Sequence, residues 1–133
     1  MVAGVADTHA ALWHLFDDSR LSFRARNFIE QAAANHQRIL LSAISLAEIL
    51  YLVEKNRLPV AAYNDLKVAL ADPGHVLKEA PFTTEIVDAM RRIPREGVPD
   101  MPDRIIAATA VYLKVPVLSR DGRIQASDVQ TVW

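Results

Sequence analysis

Short apolar runs of four or five residues alternate along this chain with longer stretches whose apolar positions recur every three or four residues. That alternation of strand-like and helix-like periods predicts an α/β chain. Val2 to Ala6 is a small apolar run that stops at Asp7-Thr8-His9. Ala10 to Phe16 follows at helical spacing, with Leu12, Leu15 and Phe16 on one side, and Asp17-Asp18-Ser19 breaks it. Ser22 is placed to cap a second helix from Phe23 to about Asn35, with an apolar stripe of Phe23, Ala25 or Arg26, Phe28 or Ile29, and Ala32. Arg38 to Ser42 reads as a buried strand.

Ser45-Leu46-Ala47-Glu48 has the spacing of a capping box, so a third helix is expected to open there and run through Val53. That helix is apolar nearly all round, which requires either a deep core position or a partner covering it. Pro59 starts a helix from Val60 to Ala71, closed by Asp72-Pro73-Gly74. A short strand at Val76 to Glu79 precedes a helix from Thr84 to Ile93, capped by Thr83 and ended by Pro94. Residues 94–102 hold three prolines and a glycine and read as a loop. Then Asp100-Met101-Pro102-Asp103-Arg104 leads into an apolar helix ending at Leu113, with Pro102 suited to its first turn. Val115 to Leu118 and Val129 to Trp133 complete the strands. The whole predicts one domain over residues 1–133, with a mostly parallel sheet of four to five strands covered by helices on both faces.

Composition narrows the choice of partner and compartment. No apolar run approaches the roughly 18 residues of a membrane span. Met1 to Ala6 lacks the basic start of a signal peptide, and the chain has no cysteine, so a cytoplasmic address is the default expectation. The net charge of −1 excludes a global basic field, so any nucleic-acid contact must be local. Eleven of the fifteen cations are Arg, a tilt that suits phosphate recognition and equally suits a codon bias.

Four acids fall where chemistry is expected. Asp7 and Asp121 follow the ends of predicted strands, and Glu48 and Asp103 lie in the first turns of helices. Ligand sites of parallel sheets gather beyond the carboxyl ends of the strands. Carboxylates converging there repel one another unless a cation neutralises them, and an all-oxygen donor set suits Mg²⁺ or Mn²⁺. Three of them have a ready structural alternative: Glu48 as a capping-box partner, Asp103 (like Asp100 before it) as a helix-dipole acid, Asp121 as a turn residue before Gly122. Asp7, a charge directly after a buried strand, needs a partner. One shared site is more economical than four separate coincidences.

Asp7-Thr8-His9 with Leu12-Trp13, then Ser42-Ala43-Ile44-Ser45-Leu46-Ala47-Glu48, resembles the PIN-domain ribonucleases. So do Asp100 to Ala110 and Pro116-Val117-Leu118-Ser119-Arg120-Asp121. Within that family the branch resembled is the VapC-type toxin of bacterial type II toxin–antitoxin pairs. The four ordered motifs span nearly the whole chain. The resemblance implies a three-layer α/β fold, Mg²⁺- or Mn²⁺-dependent hydrolysis of RNA, a homodimer, and a cognate antitoxin. It assigns Asp7, Glu48, Asp103 and Asp121 to the catalytic and metal site. Asp100, Ser119 and Thr8 fall in an outer shell, with Asp100 open to a purely capping role and Ser119 placed to steady Asp121. The branch often carries a His before the position of Asp100, where this chain has Val98-Pro99.

Arg104 and Arg120 flank the acids as candidate RNA contacts, with ion pairing to those same acids as the alternative. Arg91, Arg92 and Arg95 form a local basic patch near the loop leading to Asp100, which reads either as an RNA-binding surface or as a solvated helix end. His9 and His14 are five apart and do not share a helix face as a zinc pair would, and His36 and His75 read as surface loop residues. Two rivals to the ribonuclease are a catalytically inactive PIN-like scaffold and a haloacid-dehalogenase-like phosphatase. The latter needs a second acid two residues after the first, where this chain has His9.

Overall fold

A computed structural model describes Met1 to Trp133 throughout. The strands are β1 (Val2–Ala6), β2 (Arg38–Ser42), β3 (Leu77–Ala80), β4 (Val117–Leu118) and β5 (Thr131–Val132). The helices are α1 (Thr8–Leu15), α2 (Phe23–Ala34), α3 (Ala43–Glu54), α4 (Val60–Ala71), α5 (Thr84–Met90), α6 (Met101–Leu113) and α7 (Gly122–Ala126). All five strands form one parallel sheet in the order β3-β2-β1-β4-β5.

The period of two along the strands decides the layers. Ala6, Ile39, Leu41, Leu77 and Leu118 face a core completed by α1, α2, α4 and Ile49 of α3. Val5 and Val117 face the opposite core, built with α5, α6 and Ile124 of α7. Six consecutive residues of α6, Ile105 to Ala110, are buried, so this helix is enclosed nearly all round. Thr109 is tolerated there because its hydroxyl donates to the Ile105 carbonyl at 2.7 Å. The helix ends at Lys114 in the left-handed region, φ 59°, ψ 44°.

The chain winds from β1 outward to β3, then returns to lay β4 on the other side of β1. The crevice beyond Ala6 and Leu118 is therefore the switch point of the sheet. Gly4 allows the approach of β4: a Cβ there would meet the Pro116 carbonyl at 3.2 Å and Phe28 at 3.2 Å.

Three sequence expectations change. The capping box at Ser45 does not form, because β2 runs straight into α3 and Ser42 caps the helix, accepting from the Ile44 N–H at 3.2 Å. Ser45 is a turn further in and fully buried. Phe23 is 81% exposed, and the buried stripe of α2 is Ala25, Ile29 and Ala32. Thr83 precedes α5 without a side-chain cap bond, and that helix stops at Met90. The segment α7 had no counterpart in the sequence reading.

Candidate metal and phosphate site

Asp7, Thr8, Glu48, Asp100, Asp103 and Asp121 line one open depression of about 370 Å³ at the switch point, with His9, Trp13, Arg20 and Arg120 completing its wall. Each acid reaches it for a local reason. The Asp7 N–H donates to the Leu118 carbonyl at 3.0 Å, continuing the β1–β4 ladder one residue past the strand. Its carboxylate then caps α1, accepting from the Ala10 N–H at 2.8 Å. Asp121 caps α7 with a single oxygen, Oδ1, which accepts from the Arg123 and Ile124 N–H groups at 2.9 and 3.0 Å. Asp100 caps α6 through Oδ2, which accepts from the Asp103 N–H at 3.1 Å.

Glu48 and Ser45, three apart on α3, share the face turned toward α1. There Thr8 Oγ1 lies 2.6 Å from Glu48 Oε1 and 2.9 Å from Ser45 Oγ. Thr8 has one proton to give, and the short contact assigns it to the carboxylate, so the Ser45 hydroxyl donates to Thr8. This small buried chain fixes the Glu48 side chain. Ser119, fully buried after β4, accepts from the Asp121 N–H at 3.0 Å, and its hydroxyl lies beside the Asp7 carboxylate and favours its charged form. One hydroxyl thereby ties two acids from different ends of the chain.

Capping and ligation do not compete in this arrangement. Asp121 and Asp100 cap with one oxygen each, and Glu48 meets Thr8 with one. Oδ2 of Asp121, Oδ1 of Asp100, Oε2 of Glu48 and both oxygens of Asp103 accept no hydrogen bond within the chain, and all four residues line the depression. The electrostatics are correspondingly unfavourable. Burial pushes the Asp103 carboxyl up to about 7, with further pressure from Asp100, Asp121, Glu48 and Asp7. Burial also raises Asp7, against the lowering effect of its bonds to Ser119 and Ala10 and the nearby His9. A cation would relieve both.

The donor set fits a hard divalent ion. All donors are oxygens, and carboxylates with free oxygens line a solvent-open bowl. No three acids stand close enough together to hold an ion directly between them. A divalent ion in so open a site would keep several of its waters and meet the more distant carboxylates through them.

The arginines divide. Arg120 stands at the rim with its guanidinium 4.6 Å from the centroid of the Trp13 ring. Arg104 does not reach the depression. Its Nε and a terminal nitrogen donate to the Ile93 and Met90 carbonyls at 2.8 and 2.9 Å, closing the end of α5. These bonds hold it away from the acids, and it forms no ion pair with them. Arg91, Arg92 and Arg95 are exposed and lie outside the depression. His9 stacks on Trp13 at 5.5 Å, whereas His14 meets His75 at 6.2 Å, so the two do not converge on a metal.

Sequence reasoning missed Arg20 and gave Trp13 no place at the site. Arg20 holds Asp18 through two side-chain bonds at 3.0 and 2.8 Å and lies 5.0 Å from the Trp13 ring centroid. The Asp18-Ser19-Arg20 spacing could have suggested the ion pair, but nothing local says that this turn folds back onto α1.

No curated protein sequence matches the chain. Several solved structures share its architecture. VapBC2 from Rickettsia felis, bound to a DNA fragment from their promoter, superposes with a TM-score of 0.71 at 18% identity, covering 98% of this chain and 97% of that one. A toxin–antitoxin complex from Klebsiella pneumoniae gives 0.63 at 17% identity, with the same two coverages. FitAcB from Neisseria gonorrhoeae gives 0.60 at 23% identity, covering 96% and 95%. At these identities the likeness is one of fold. Sequence evidence of membership is separate: the PIN domain family model matches residues 5–129, from the core of β1 through the loop before β5, and the chain belongs to the PIN-domain family.

Proposed function

We propose that this chain is a metal-dependent endoribonuclease acting as the toxin of a toxin–antitoxin pair, a single cytoplasmic domain that works as a homodimer. The observation that carries the reading is the convergence of Asp7, Glu48, Asp103 and Asp121 on one depression, with free carboxylate oxygens and Asp103 raised to about 7. Asp7, Asp103 and Asp121 would hold Mg²⁺ or Mn²⁺, with Glu48 completing the set. When bound, the ion supplies Lewis-acid polarisation of a phosphoryl oxygen and a water of lowered pKa.

The chain's own residues supply the rest. Glu48, fixed through Oε1 by Thr8, presents Oε2 to orient the attacking water and accept its proton. Ser119 keeps Asp7 and Asp121 in register, and Asp100 holds the first turn of α6 so that Asp103 faces the depression. Arg120 is the arginine placed to meet a substrate phosphate. The exposed Arg91, Arg92 and Arg95 are candidates for more distant strand contacts.

The partner assignment is supported by the surface of α3. Of its apolar run only Ile49 is buried among the large residues, while Leu50 and Tyr51 are 39% and 56% exposed. A helix so apolar and so uncovered fits a second copy or an antitoxin segment.

The decisive test is Asp7→Asn and Asp103→Asn. RNA cleavage should fall on the order of a thousandfold or more in each, with circular dichroism unchanged, since Asn can still cap α1. Full activity in either variant, or parent activity persisting in excess EDTA, would overturn the reading.

A further inference from the structure

Two guanidinium groups approach the same indole at the edge of the acidic depression. Arg120 lies 4.6 Å and Arg20 5.0 Å from the Trp13 ring centroid, both within cation–π range. Trp13 is 7% exposed and anchored in the core, with Trp133 against it at 5.8 Å and His9 at 5.5 Å. It is a fixed platform under side chains that would otherwise be mobile.

The two arginines differ in what remains for a ligand. Arg20 is matched by Asp18, in one of the two ion pairs of the chain. Arg120 has no carboxylate within pairing distance, although five acids line the depression beside it. An exposed arginine free to bend toward those acids would gain an ion pair, and the indole holds it away from them. A guanidinium kept unpaired at the mouth of an anionic bowl is suited to an oxyanion ligand that offers two oxygens to its planar fork, as a phosphate does.

We propose that Trp13 is a positioning residue for RNA: it holds the Arg120 guanidinium at the rim of the depression, where it binds a phosphate of single-stranded RNA next to the one being cleaved. Arg20, neutralised by Asp18, braces the indole and takes no phosphate itself. This rests on the ribonuclease reading.

The test is anisotropy of a labelled single-stranded RNA, with Ca²⁺ replacing Mg²⁺, across a salt series. Arg120→Met should weaken binding about tenfold, the value of one charge-assisted contact. It should also flatten the slope of log affinity against log salt by about 0.7, one phosphate contact on a single strand. Trp13→Leu, which keeps an apolar side chain in the core, should reproduce both effects and add nothing in an Arg120→Met background. In Mg²⁺ the loss should appear in KM rather than kcat. A silent Arg120→Met in a protein that binds and cleaves RNA overturns the inference alone. So does Trp13→Leu weakening binding equally with or without Arg120, which would mark Trp13 as merely structural. An Arg120→Met variant that binds RNA normally but loses an acidic protein partner would reassign the guanidinium to that partner. A parent chain that neither binds nor cleaves RNA overturns both readings.

Discussion

Asp103 stands on the first turn of α6 with neither carboxylate oxygen hydrogen-bonded inside the chain, facing four other acids. Its folded-state pKa of about 7 lies above the ordinary 3.8. Between those values the folded chain keeps a proton that the unfolded chain has lost. The stability this group contributes is therefore complete below about pH 3.8 and is lost as pH rises through about 7. Asp103→Asn removes the titration. In EDTA the variant should exceed the parent in stability by on the order of 1–2 kcal/mol at about pH 8, the shift being discounted because the side chain is partly solvated. The advantage should shrink toward about pH 5. Burial lowers His14 and His75, so their contribution runs the opposite way, but it is common to both proteins and cancels in the difference. Urea denaturation of the pair at the two pH values reads the effect. Parallel pH profiles would show that Asp103 carries no such strain.

Thr8 is the second residue whose chemistry is local. Thr8→Val keeps the shape but removes the bond that fixes Glu48, and it leaves the buried Ser45 hydroxyl without its partner. The expected cost is about 1–3 kcal/mol of stability. Cleavage should fall about tenfold to a hundredfold, since Glu48 loses its orientation rather than its charge. Cleavage at the parent rate would show that Glu48 is held by something other than Thr8.

At the scale of elements, strands and long helices were legible because burial on two faces imposes period two or 3.6 on many residues at once. The sheet strands and α2, α4 and α6 follow from that pattern. Individual ends were legible only where the capping partner is adjacent in sequence, as at Ser22 and Asp100. The Ser45–Glu48 spacing misled for a physical reason: the same i, i+3 geometry that makes a capping box also puts two polar groups on one helix face. A helix packed against α1 used it for the second purpose. The α7 helix was hidden because five residues with one buried side chain, Ile124, show no period. Arg104 has the acids as its sequence neighbours, while its partners are the carbonyls at positions 90 and 93, reached through tertiary packing. It should therefore behave as a brace for α5. Arg104→Met should cost about 2–3 kcal/mol through two charge-assisted bonds, and should leave the affinity for RNA unchanged. Thermal denaturation and RNA anisotropy on the same variant decide it; a loss confined to RNA binding would restore Arg104 to the phosphate surface.

At the scale of the molecule, sheet order turns separated residues into one site. The order β3-β2-β1-β4-β5 sets β1 between strands that are distant in the chain, so Asp7 and Ser119 become neighbours through a single ladder bond. The acids were readable individually, but their convergence depended on a topology that spacing does not encode and the family motifs supplied. The fold accepts a cluster of negative charge at its switch point, which raises Asp103 and Asp7, and the response of that cluster to a cation separates a catalytic bowl from a scaffold with structural acids. A cation that binds only the folded chain should stabilise it by RT ln(1 + [Mg²⁺]/Kd), about 2.7 kcal/mol at a hundredfold excess over Kd. Because a proton on Asp103 competes with the ion, the gain should be larger at about pH 8 than at about pH 6. Asp103→Asn should lose most of it and all of its pH dependence. Melting curves of parent and variant with and without Mg²⁺ at the two pH values measure this directly. A parent whose melting point ignores Mg²⁺ at both would be a scaffold, with acids that cap helices and do nothing else.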